Sequence, residues 1–482
     1  MDITTEKYKA VARAGTENPV LQKALAGLQA RFGRGTAQAY RELPEGPDLR
    51  LVAHDLRMDA VLHLDRLLAA LAGKVRGNGG HVYFAQNGEE AVAYCLKVAA
   101  ENKVKRVVKG KSMVTEEIRL NEALAASGIE AVETDLGEYI IQLAGETPSH
   151  IIAPAIHKSK EDVGRLFAEK LRIGYTDDPP TLTRAARKAL REKFLSADMG
   201  ISGCNLACAE TGHITTVSNE GNIRMASTLP RIHMVFMGME RVAARLQDLD
   251  ILLRLLCRGA AAQNMATYVS HISGPRGADN LDGPEQLHLV ILDNGRSRML
   301  ADPEFREMLC CIRCAACLNI CPVYGKIGGH AYGFAYSGPV GAVVTPLMTG
   351  INRAADLCQG ETLCGACRDA CPVNIDIPRM LLLLRAKLAD GDSRWGVTRG
   401  SLMEKAAYMF WARLMQSRGL YDLAINAGSV FQRALPKNGG MLRFLPPPLN
   451  GWTRSRDMQP LADESFSRWW QKNREGDSHG NP

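Results

Sequence analysis

Apolar side chains near the N-terminus recur at the three- and four-residue spacing of amphipathic helices. Leu21, Leu25 and Leu28 show this spacing, and it returns before the glycine-bearing stretch Gly73–Gly80. Glycine at this density interrupts regular structure. We therefore predict an N-terminal helical segment over residues 1–70.

Beyond this break, short β-like runs alternate with helical stretches. The predicted strands are His81–Ala85, Arg106–Val108, Ile129–Glu133, His233–Met237 and Leu287–Leu292, with a further apolar run at Ala207–Val217. The predicted helices are Glu89–Asn102, Glu116–Ser127, Lys160–Lys170 and Arg241–Leu256. This alternation is typical of a layered α/β domain, which we place over residues 71–300. No glycine-rich dinucleotide fingerprint or phosphate loop follows a strand, so the pattern does not imply NAD, FAD or ATP.

A junction at Pro303 opens a cysteine-rich segment, placed over residues 301–385. A helical region, 386–482, follows it, with one or two amphipathic helices across Glu404–Phe431. The tail after Glu475 is polar and is predicted to be disordered. Packing against a partner is favoured for the amphipathic helices over contact with a membrane surface.

Composition adds constraints on location and partners. The chain has 482 residues, 46% of them hydrophobic, which is ordinary for a folded chain of several domains. The net charge of +7 is spread without a basic tract, so no nucleic-acid surface is indicated. The N-terminus resembles no secretory signal, and no stretch reaches the roughly 18 apolar residues that span a bilayer. We expect a cytoplasmic protein, with membrane contact at most peripheral.

Cysteine is concentrated in one window of the chain. Nine of the 13 cysteines lie between Cys310 and Cys371. In a reducing cytoplasm such clustering indicates metal or redox chemistry, not a disulfide framework. Two runs end in Cys-Pro, and the x2, x2, x3 spacing of the first is that of bacterial ferredoxins, in which the fourth cysteine serves the other cluster. The spacing predicts two [4Fe–4S] clusters in an α-helical module of the ferredoxin type.

The predicted ligand sets follow from this cross-sharing. The first cluster takes Cys311, Cys314, Cys317 and Cys371, and the second takes Cys321, Cys364 and Cys367 with one further ligand. A regular second motif would place that ligand at position 361, which is Glu361. We predict that Cys358 replaces it. The alternatives are a carboxylate ligand from Glu361, or a [3Fe–4S] cluster without that corner.

The remaining cysteines are predicted not to bind these clusters. Structural zinc would need four ligands in a tetrahedron, which does not explain seven cysteines with two Cys-Pro endings. Cys310 is out of register with the motif, and Cys95 and Cys257 occur singly on predicted helices. We expect those two to be small buried hydrophobes.

A stretch of the α/β domain combines glycine with polar residues, at Met199–Gly212 and Ser218–Met225. It indicates either a small polar ligand at strand ends or tight turns that satisfy their own side chains. Together with Lys109–Met113, Glu133–Ile140, Ile151–Lys158 and Lys326–Gly333, it resembles the bacterial lactate-utilisation iron–sulfur protein family of the LutB/LldF type. The resemblance spans residues 50–385, and more weakly the C-terminal region. Cys204 and Cys208 depart from the family pattern and are expected to be small buried side chains.

The resemblance implies a LUD domain related to sugar-phosphate isomerases and CoA-transferases, followed by the two-cluster module. It also implies a non-catalytic electron-transfer subunit in the oxidation of L-lactate to pyruvate. The implied companions are a cysteine-rich CCG-domain protein and a small stand-alone LUD protein. Three alternatives stay open: a LUD domain that acts on a small carboxylate or hydroxy acid through Glu210 or Glu220, an electron-transfer subunit for another 2-hydroxy acid, and a redox sensor or assembly scaffold.

Overall fold

The computed structural model describes residues 4–398, 400–447, 449–462 and 464–476. They form two compact units, one ending at Thr398 and the other following it. All 13 cysteines lie in the first unit. The predicted disorder after Glu475 concerns mainly residues 477–482, which lie outside the described residues.

Ten strands in the first unit form two sheets. In chain order they are His81–Ala85 (β1), Arg106–Lys109 (β2), Glu130–Glu133 (β3), Met199–Gly203 (β4), Leu206–Cys208 (β5), Ile214–Ser218 (β6), Ile232–Gly238 (β7), Val242–Ala243 (β8), Tyr268–Ile272 (β9) and Gln286–Leu292 (β10). The larger sheet has the order β1-β10-β7-β4-β2-β3, and all its neighbouring strands are parallel. The predicted α/β layering is confirmed. Strand β7 is buried along its whole length because strands flank both edges and other layers cover both faces.

The smaller sheet has the order β8-β5-β6-β9. We predicted one run across Ala207–Val217, but the chain turns back within it and forms the antiparallel pair β5 and β6. Gly212 lies in this turn with a φ of 79°, a conformation that glycine adopts without steric cost.

Helices cover both faces of the larger sheet and form most of the rest of the first unit. In chain order they are Tyr8–Glu17 (α1), Pro19–Leu28 (α2), Arg34–Arg41 (α3), Gly46–Leu62 (α4), Leu64–Gly77 (α5), Gly88–Glu101 (α6), Met113–Glu117 (α7), Leu120–Ala126 (α8), Leu136–Ala144 (α9), Lys160–Lys170 (α10), Pro179–Leu195 (α11), Asn222–Thr228 (α12), Leu246–Ala261 (α13), Arg296–Ala301 (α14), Ala316–Ile320 (α15), Tyr324–Ile327 (α16), Gly338–Thr349 (α17), Ala355–Gln359 (α18), Ala366–Asp369 (α19) and Ile377–Asp390 (α20).

Three helix predictions need correction. The helix predicted over Glu116–Ser127 is two helices, because Arg119 adopts a left-handed φ of 55° between them. The helix predicted from Arg241 begins at Leu246, because Val242–Ala243 pairs with β5. Helix α5 passes through Gly73, so the break falls later than predicted.

The N-terminal helices pack on the cysteine-rich segment. Tyr8 and Leu25 belong to the same apolar core as Leu318. Polar contacts reinforce this packing: the Thr4 N–H donates to the Gly333 carbonyl, with 3.1 Å between N and O. Residues far apart in sequence therefore enclose the cysteine motifs together.

The second unit contains the two helices predicted across Glu404–Phe431. Its elements are Leu402–Gln416 (α21), Arg418–Phe431 (α22), Phe466–Gly476 (α23) and the short antiparallel strands Lys437–Asn438 (β11) and Met441–Leu442 (β12). Helix α21 exposes Tyr408, Phe410 and Trp411. Across the described ranges of both units, no helix combines the length and the apolar character needed to cross a membrane.

Candidate metal centres and the adjoining cleft

The structure brings together the four cysteines predicted for the first cluster. Three of them come from the loop before α15 and from its first turn, and the fourth comes from the segment after α19. All four line one small cavity: Cys311, Cys314, Cys317 and Cys371. We call them the first cysteine set. Cys310, the neighbour of Cys311, does not line this cavity and is buried elsewhere in the core.

Left-handed backbone residues shape both cysteine loops. Arg313 and Ala315, on either side of Cys314, have φ values of 58° and 66°. Leu363 and Gly365, on either side of Cys364, have φ values of 57° and 85°. Backbone that mixes left- and right-handed residues turns successive N–H groups inward, which makes a concavity suited to anionic sulfur clusters. The two loops therefore share one local design, which the repeated spacing already indicated.

Backbone N–H groups point at the cysteine sulfurs. The N–H groups of Arg313, Tyr324 and Ile375 donate to cysteine sulfurs, each with 3.4 Å between N and Sγ. Burial raises the pKa of Cys371 to about 11 and that of Cys367 to about 12, so the free thiols hold their protons at neutral pH. Iron would have to displace those protons, since the thiolate is the ligand. A donor set of thiols with N–H groups aimed at their sulfurs fits an iron–sulfur cluster.

A second cavity gathers the cysteines predicted for the second cluster. Cys321, Cys364 and Cys367 line it, and Glu361 lines it with them. The Cys321 thiol donates to the Glu361 carboxylate, with 3.5 Å between Sγ and Oε2. The Tyr332 hydroxyl donates to the other carboxylate oxygen at 2.9 Å. Burial raises the pKa of Glu361 to about 7, an effect that the Tyr332 hydrogen bond opposes. We call these three cysteines and Glu361 the second set.

Cys358, the predicted fourth ligand of the second cluster, is not part of the second set in the structure. Cys358 lies on α18, is fully buried, and does not line the second cavity. Its thiol donates to the Ala354 carbonyl one helical turn earlier, with 3.7 Å between Sγ and O. The Cys358 thiol is therefore hydrogen-bonded within its own helix and is not among the residues that line the second cavity.

Side chains from distant parts of the chain hold the carbonyl groups of these loops. Arg241 donates to the Cys311 carbonyl at 2.9 Å, Gln29 to the Cys321 carbonyl at 2.8 Å, and Arg50 to the Cys371 carbonyl at 2.9 Å. Arg385 donates to the Glu361 carbonyl at 2.8 Å. Each loop is therefore fixed by a donor that sequence spacing alone did not reveal.

The other cysteines are buried as predicted. Cys95 lies on α6, Cys208 on β5, and Cys204 follows β4. Within the described residues, no three His, Cys, Asp or Glu side chains converge as they would on a single metal ion. The two cysteine sets instead surround cavities.

A separate cleft of about 290 Å³ lies at the carboxyl ends of the main-sheet strands. Lys111 follows β2, Asn205 follows β4, and Arg241 follows β7. Ligands of open α/β sheets bind at this edge of the strands. Glu220 lines the cleft, whereas Glu210 does not and accepts the Leu246 N–H at 2.9 Å instead. Burial raises the pKa of Glu220 to about 7.

The cleft extends to the first cysteine set. Arg313 lines both the cleft and the first cavity, and Tyr336 lines the cleft beside it. Behind them, Arg296 pairs with Glu117 at 2.9 Å and with Glu240 at 2.7 Å, in a fully buried network. Sequence reasoning missed Arg313 and Tyr336, because no spacing rule relates them to the strand ends. Lys111 does occur within the family-like motif Lys109–Met113, which is the signal that could have identified it.

Three family models match consecutive parts of the chain. A LUD domain matches residues 68–292, a 4Fe-4S dicluster domain matches residues 307–375, and a lactate utilisation protein B C-terminal family matches residues 396–475. A crystal structure of a DUF162 family protein from Deinococcus radiodurans is 12% identical, and the match covers 48% of this chain and 98% of that one, with a TM-score of 0.28. That similarity is too low to support an argument.

Full-length relatives extend these matches. Lactate utilization protein B of Bacillus pumilus is 41% identical over 473 residues, which cover 98% of each chain. The protein of that name from Bacillus licheniformis is 40% identical over 475 residues, again 98% of each chain. An electron transport protein of Escherichia coli, YkgF, is 42% identical over 465 residues and 96% of each chain. The predicted fold class, a LUD domain followed by an iron–sulfur module, is confirmed, and the chain belongs to the lactate utilization protein B family.

Proposed function

We propose that the chain is the iron–sulfur electron-transfer component of a system that oxidises L-lactate to pyruvate. The observation that carries this proposal is the pair of cysteine sets, each of which combines one motif with the last cysteine of the other. Cross-sharing of this kind is the arrangement of two-cluster ferredoxins. The names of the relatives, which refer to lactate utilization and to electron transport, support the substrate and the role.

The proposed ligands follow the two sets. Cys311, Cys314, Cys317 and Cys371 would hold one [4Fe–4S] cluster. Cys321, Cys364 and Cys367 would hold a second, and we propose the Glu361 carboxylate as its fourth ligand in place of Cys358. The support for Glu361 is its position in the cavity and its contact with Cys321. A [3Fe–4S] cluster is the outcome expected if Glu361 does not bind iron.

A bound cubane accepts and returns one electron, which is the chemistry that the group supplies. The chain supplies the thiolates, the N–H donors to their sulfurs, and a low-polarity enclosure. Arg241, Gln29 and Arg50 hold the loops in place through their carbonyls. With one protein ligand on each of its four irons, neither centre would keep an open site for substrate.

The companions that we propose are a cysteine-rich CCG-domain protein and a small stand-alone LUD protein, acting in the cytoplasm. Support comes from family membership and from the lack of any flavin or nicotinamide motif in the sequence. The centre that first oxidises lactate would then lie on a companion.

The test is to purify the full chain anaerobically, count iron and sulfide, and record EPR spectra after adding L-lactate with and without both companions. Reduction only in the presence of the companions is expected. Reduction of the isolated chain by lactate would transfer the oxidation step to this chain, and no reduction in any mixture would remove lactate as the substrate.

A further inference from the structure

We propose that the cleft binds a small monocarboxylate and that Arg313 is its anchor. The Nη1 atom of Arg313 is buried and has no hydrogen-bond partner among the described residues. Its Nη2 atom lies 3.7 Å from the Glu240 Oε1 atom, and its guanidinium carbon lies 4.4 Å from the centre of the Tyr336 ring. The Tyr336 ring packs against the guanidinium, and the hydrogen-bonding capacity of Nη1 is left unused. A buried donor without a partner costs stability, so a ligand that accepts from it is favoured.

The other two cations that line the cleft are already engaged. Arg241 donates to the carbonyls of Cys311 and Ile312 at 2.9 and 3.1 Å. Lys111 lies 2.9 Å from the Glu138 carboxylate. Of the three cations that line the cleft, Arg313 is therefore the one with a buried N–H donor that has no hydrogen-bond partner among the described residues.

The charge of the lining limits the ligand to a monoanion. Three cations face three carboxylates in the cleft: Lys111, Arg241 and Arg313 against Asp135, Glu220 and Glu240. A guanidinium fork pairs with carboxylate and phosphate alike, so charge decides between them: a phosphate dianion would bring two negative charges toward those carboxylates, and a carboxylate brings one. A cleft of about 290 Å³ suits a small molecule. Ile151, Val217 and Leu256 supply apolar surface for its hydrocarbon part.

The position of Arg313 places this ligand next to the first cysteine set. The residue lies between Cys311 and Cys314, and its N–H donates to the Cys311 sulfur with 3.4 Å between N and Sγ. A carboxylate bound at Nη1 would therefore contact the side chain of the same residue whose backbone N–H donates to the Cys311 sulfur. The choice of L-lactate as a probe rests on the proposed function, but the carboxylate site itself does not.

The experiment measures equilibrium binding of labelled L-lactate to the full chain, purified anaerobically with its clusters oxidised. Saturable binding of one lactate per chain is expected. Arg313→Gln should weaken it about tenfold or more, because it removes a charge-assisted pair. Arg368→Gln is the matched control: Arg368 follows Cys367 and pairs with Asp376 at 2.9 Å, but it does not line the cleft, so binding should not change. Iron content is compared for each variant.

Competition on the unaltered chain tests the ligand class even if the Arg313 variant loses iron. At pH 8, where inorganic phosphate is mostly the dianion, propionate should displace lactate, whereas phosphate and 1,2-propanediol at equal concentration should not. In the reduced chain, lactate should shift the EPR signal of one cluster, and the shift should vanish in Arg313→Gln.

Equal lactate affinity in Arg313→Gln, or equal competition by phosphate and propionate, overturns the proposal. If the variant keeps its lactate affinity but changes the reduction potential of one cluster, then Arg313 serves the cluster and the carboxylate site is refuted. Failure here is distinguishable from failure of the electron-transfer role, since reduction with the companions present does not require lactate to bind this chain.

Discussion

At the scale of single residues, Glu361 distinguishes the second set from the first. It occupies the position where the spacing of the first motif has Cys311, and Tyr332 and Cys321 both contact its carboxylate. A carboxylate is a harder ligand than a thiolate, so the two centres would differ in electronic character. If both clusters bind as proposed, their unequal ligand sets would give them different reduction potentials.

Substitutions at Glu361 and Cys358 test this assignment. Glu361→Gln should convert the second centre to a three-iron cluster, lowering the iron count by about one per chain and adding an EPR signal in the oxidised state. Glu361→Cys should keep full iron, because it restores a thiolate at the regular spacing. Cys358→Ser, at a fully buried thiol outside both cavities, should leave iron unchanged. Iron loss in Cys358→Ser with normal iron in Glu361→Gln would reverse the assignment.

The shifted pKa of His233 makes the free energy of unfolding depend on pH. It is the second residue of β7, is fully buried, and shares a 2.8 Å hydrogen bond with the Ser202 hydroxyl. Burial lowers its pKa to about 3, from an ordinary value of 6.5. The unfolded chain therefore takes up a proton before the folded chain does. The stability from neutral His233 is complete above pH 6.5 and declines as the pH falls toward 3.

Urea unfolding at pH 7.5 and pH 5.5 can measure this term. His233 should contribute a loss of about 1.4 kcal/mol in the free energy of unfolding between the two values. His233→Asn cannot take up that proton, so its loss should be smaller by this amount, although the variant is less stable at both values. Identical losses in the two proteins would show that His233 does not titrate in this way.

At the scale of elements, α4 joins the α/β domain to the cysteine-rich segment through Arg57. This fully buried side chain donates to the Val242 and Leu309 carbonyls at 2.6 and 3.1 Å, and it also reaches those of Glu240 and Cys310. The planar guanidinium can serve several acceptors at once, which a lysine ammonium cannot do in the same geometry.

Arg57→Met should lower the free energy of unfolding by about 3 kcal/mol or more, because it leaves buried carbonyls without donors. Denaturant unfolding, followed through both far-UV circular dichroism and cluster absorbance, measures the loss. Arg13→Met is the control: Arg13 is exposed on α1 and pairs with Glu17, so its loss should stay below about 1 kcal/mol. Equal stability of the two variants would contradict the role of Arg57.

At the scale of the whole molecule, the first unit contains every residue that we propose as a cluster ligand. Both cysteine sets, the cleft and the N-terminal helices that pack on the cysteine motifs precede Thr398. The second unit has its own helices and a short strand pair.

A chain truncated after Thr398 should therefore keep its iron content and its EPR spectrum. The physical reason is that the ligands and the donors to their loops all remain. Loss of one cluster on truncation would show that the second unit contributes to a metal centre. Removal of residues 1–45 is the complementary control, and it should cause iron loss because it deletes Gln29 and the packing of α1 on the module.

Much of the fold followed from periodicity, and much of the candidate site followed from spacing. Where prediction differed from structure, the cause was conformational or spatial. Arg119 divides a predicted helix because it adopts a left-handed conformation, which its residue type does not predict. Val242–Ala243 becomes a strand because β5 lies beside it. Cys358 fits the requirement for a thiol, but the folded chain places Glu361 and not Cys358 in the second cavity.

The sequence by itself determined the alternation of strands and helices, the two cysteine motifs and their cross-shared grouping. Those properties depend on the local periodicity of apolar residues and on the short spacings between cysteines, and both can be read from the sequence. Only the tertiary structure decided that Glu361 lies in the second set, that the N-terminal helices enclose the cysteine motifs, and that Arg313 joins the cleft to the first set. These are contacts between residues tens to hundreds of positions apart, and packing of the folded chain is what selects them.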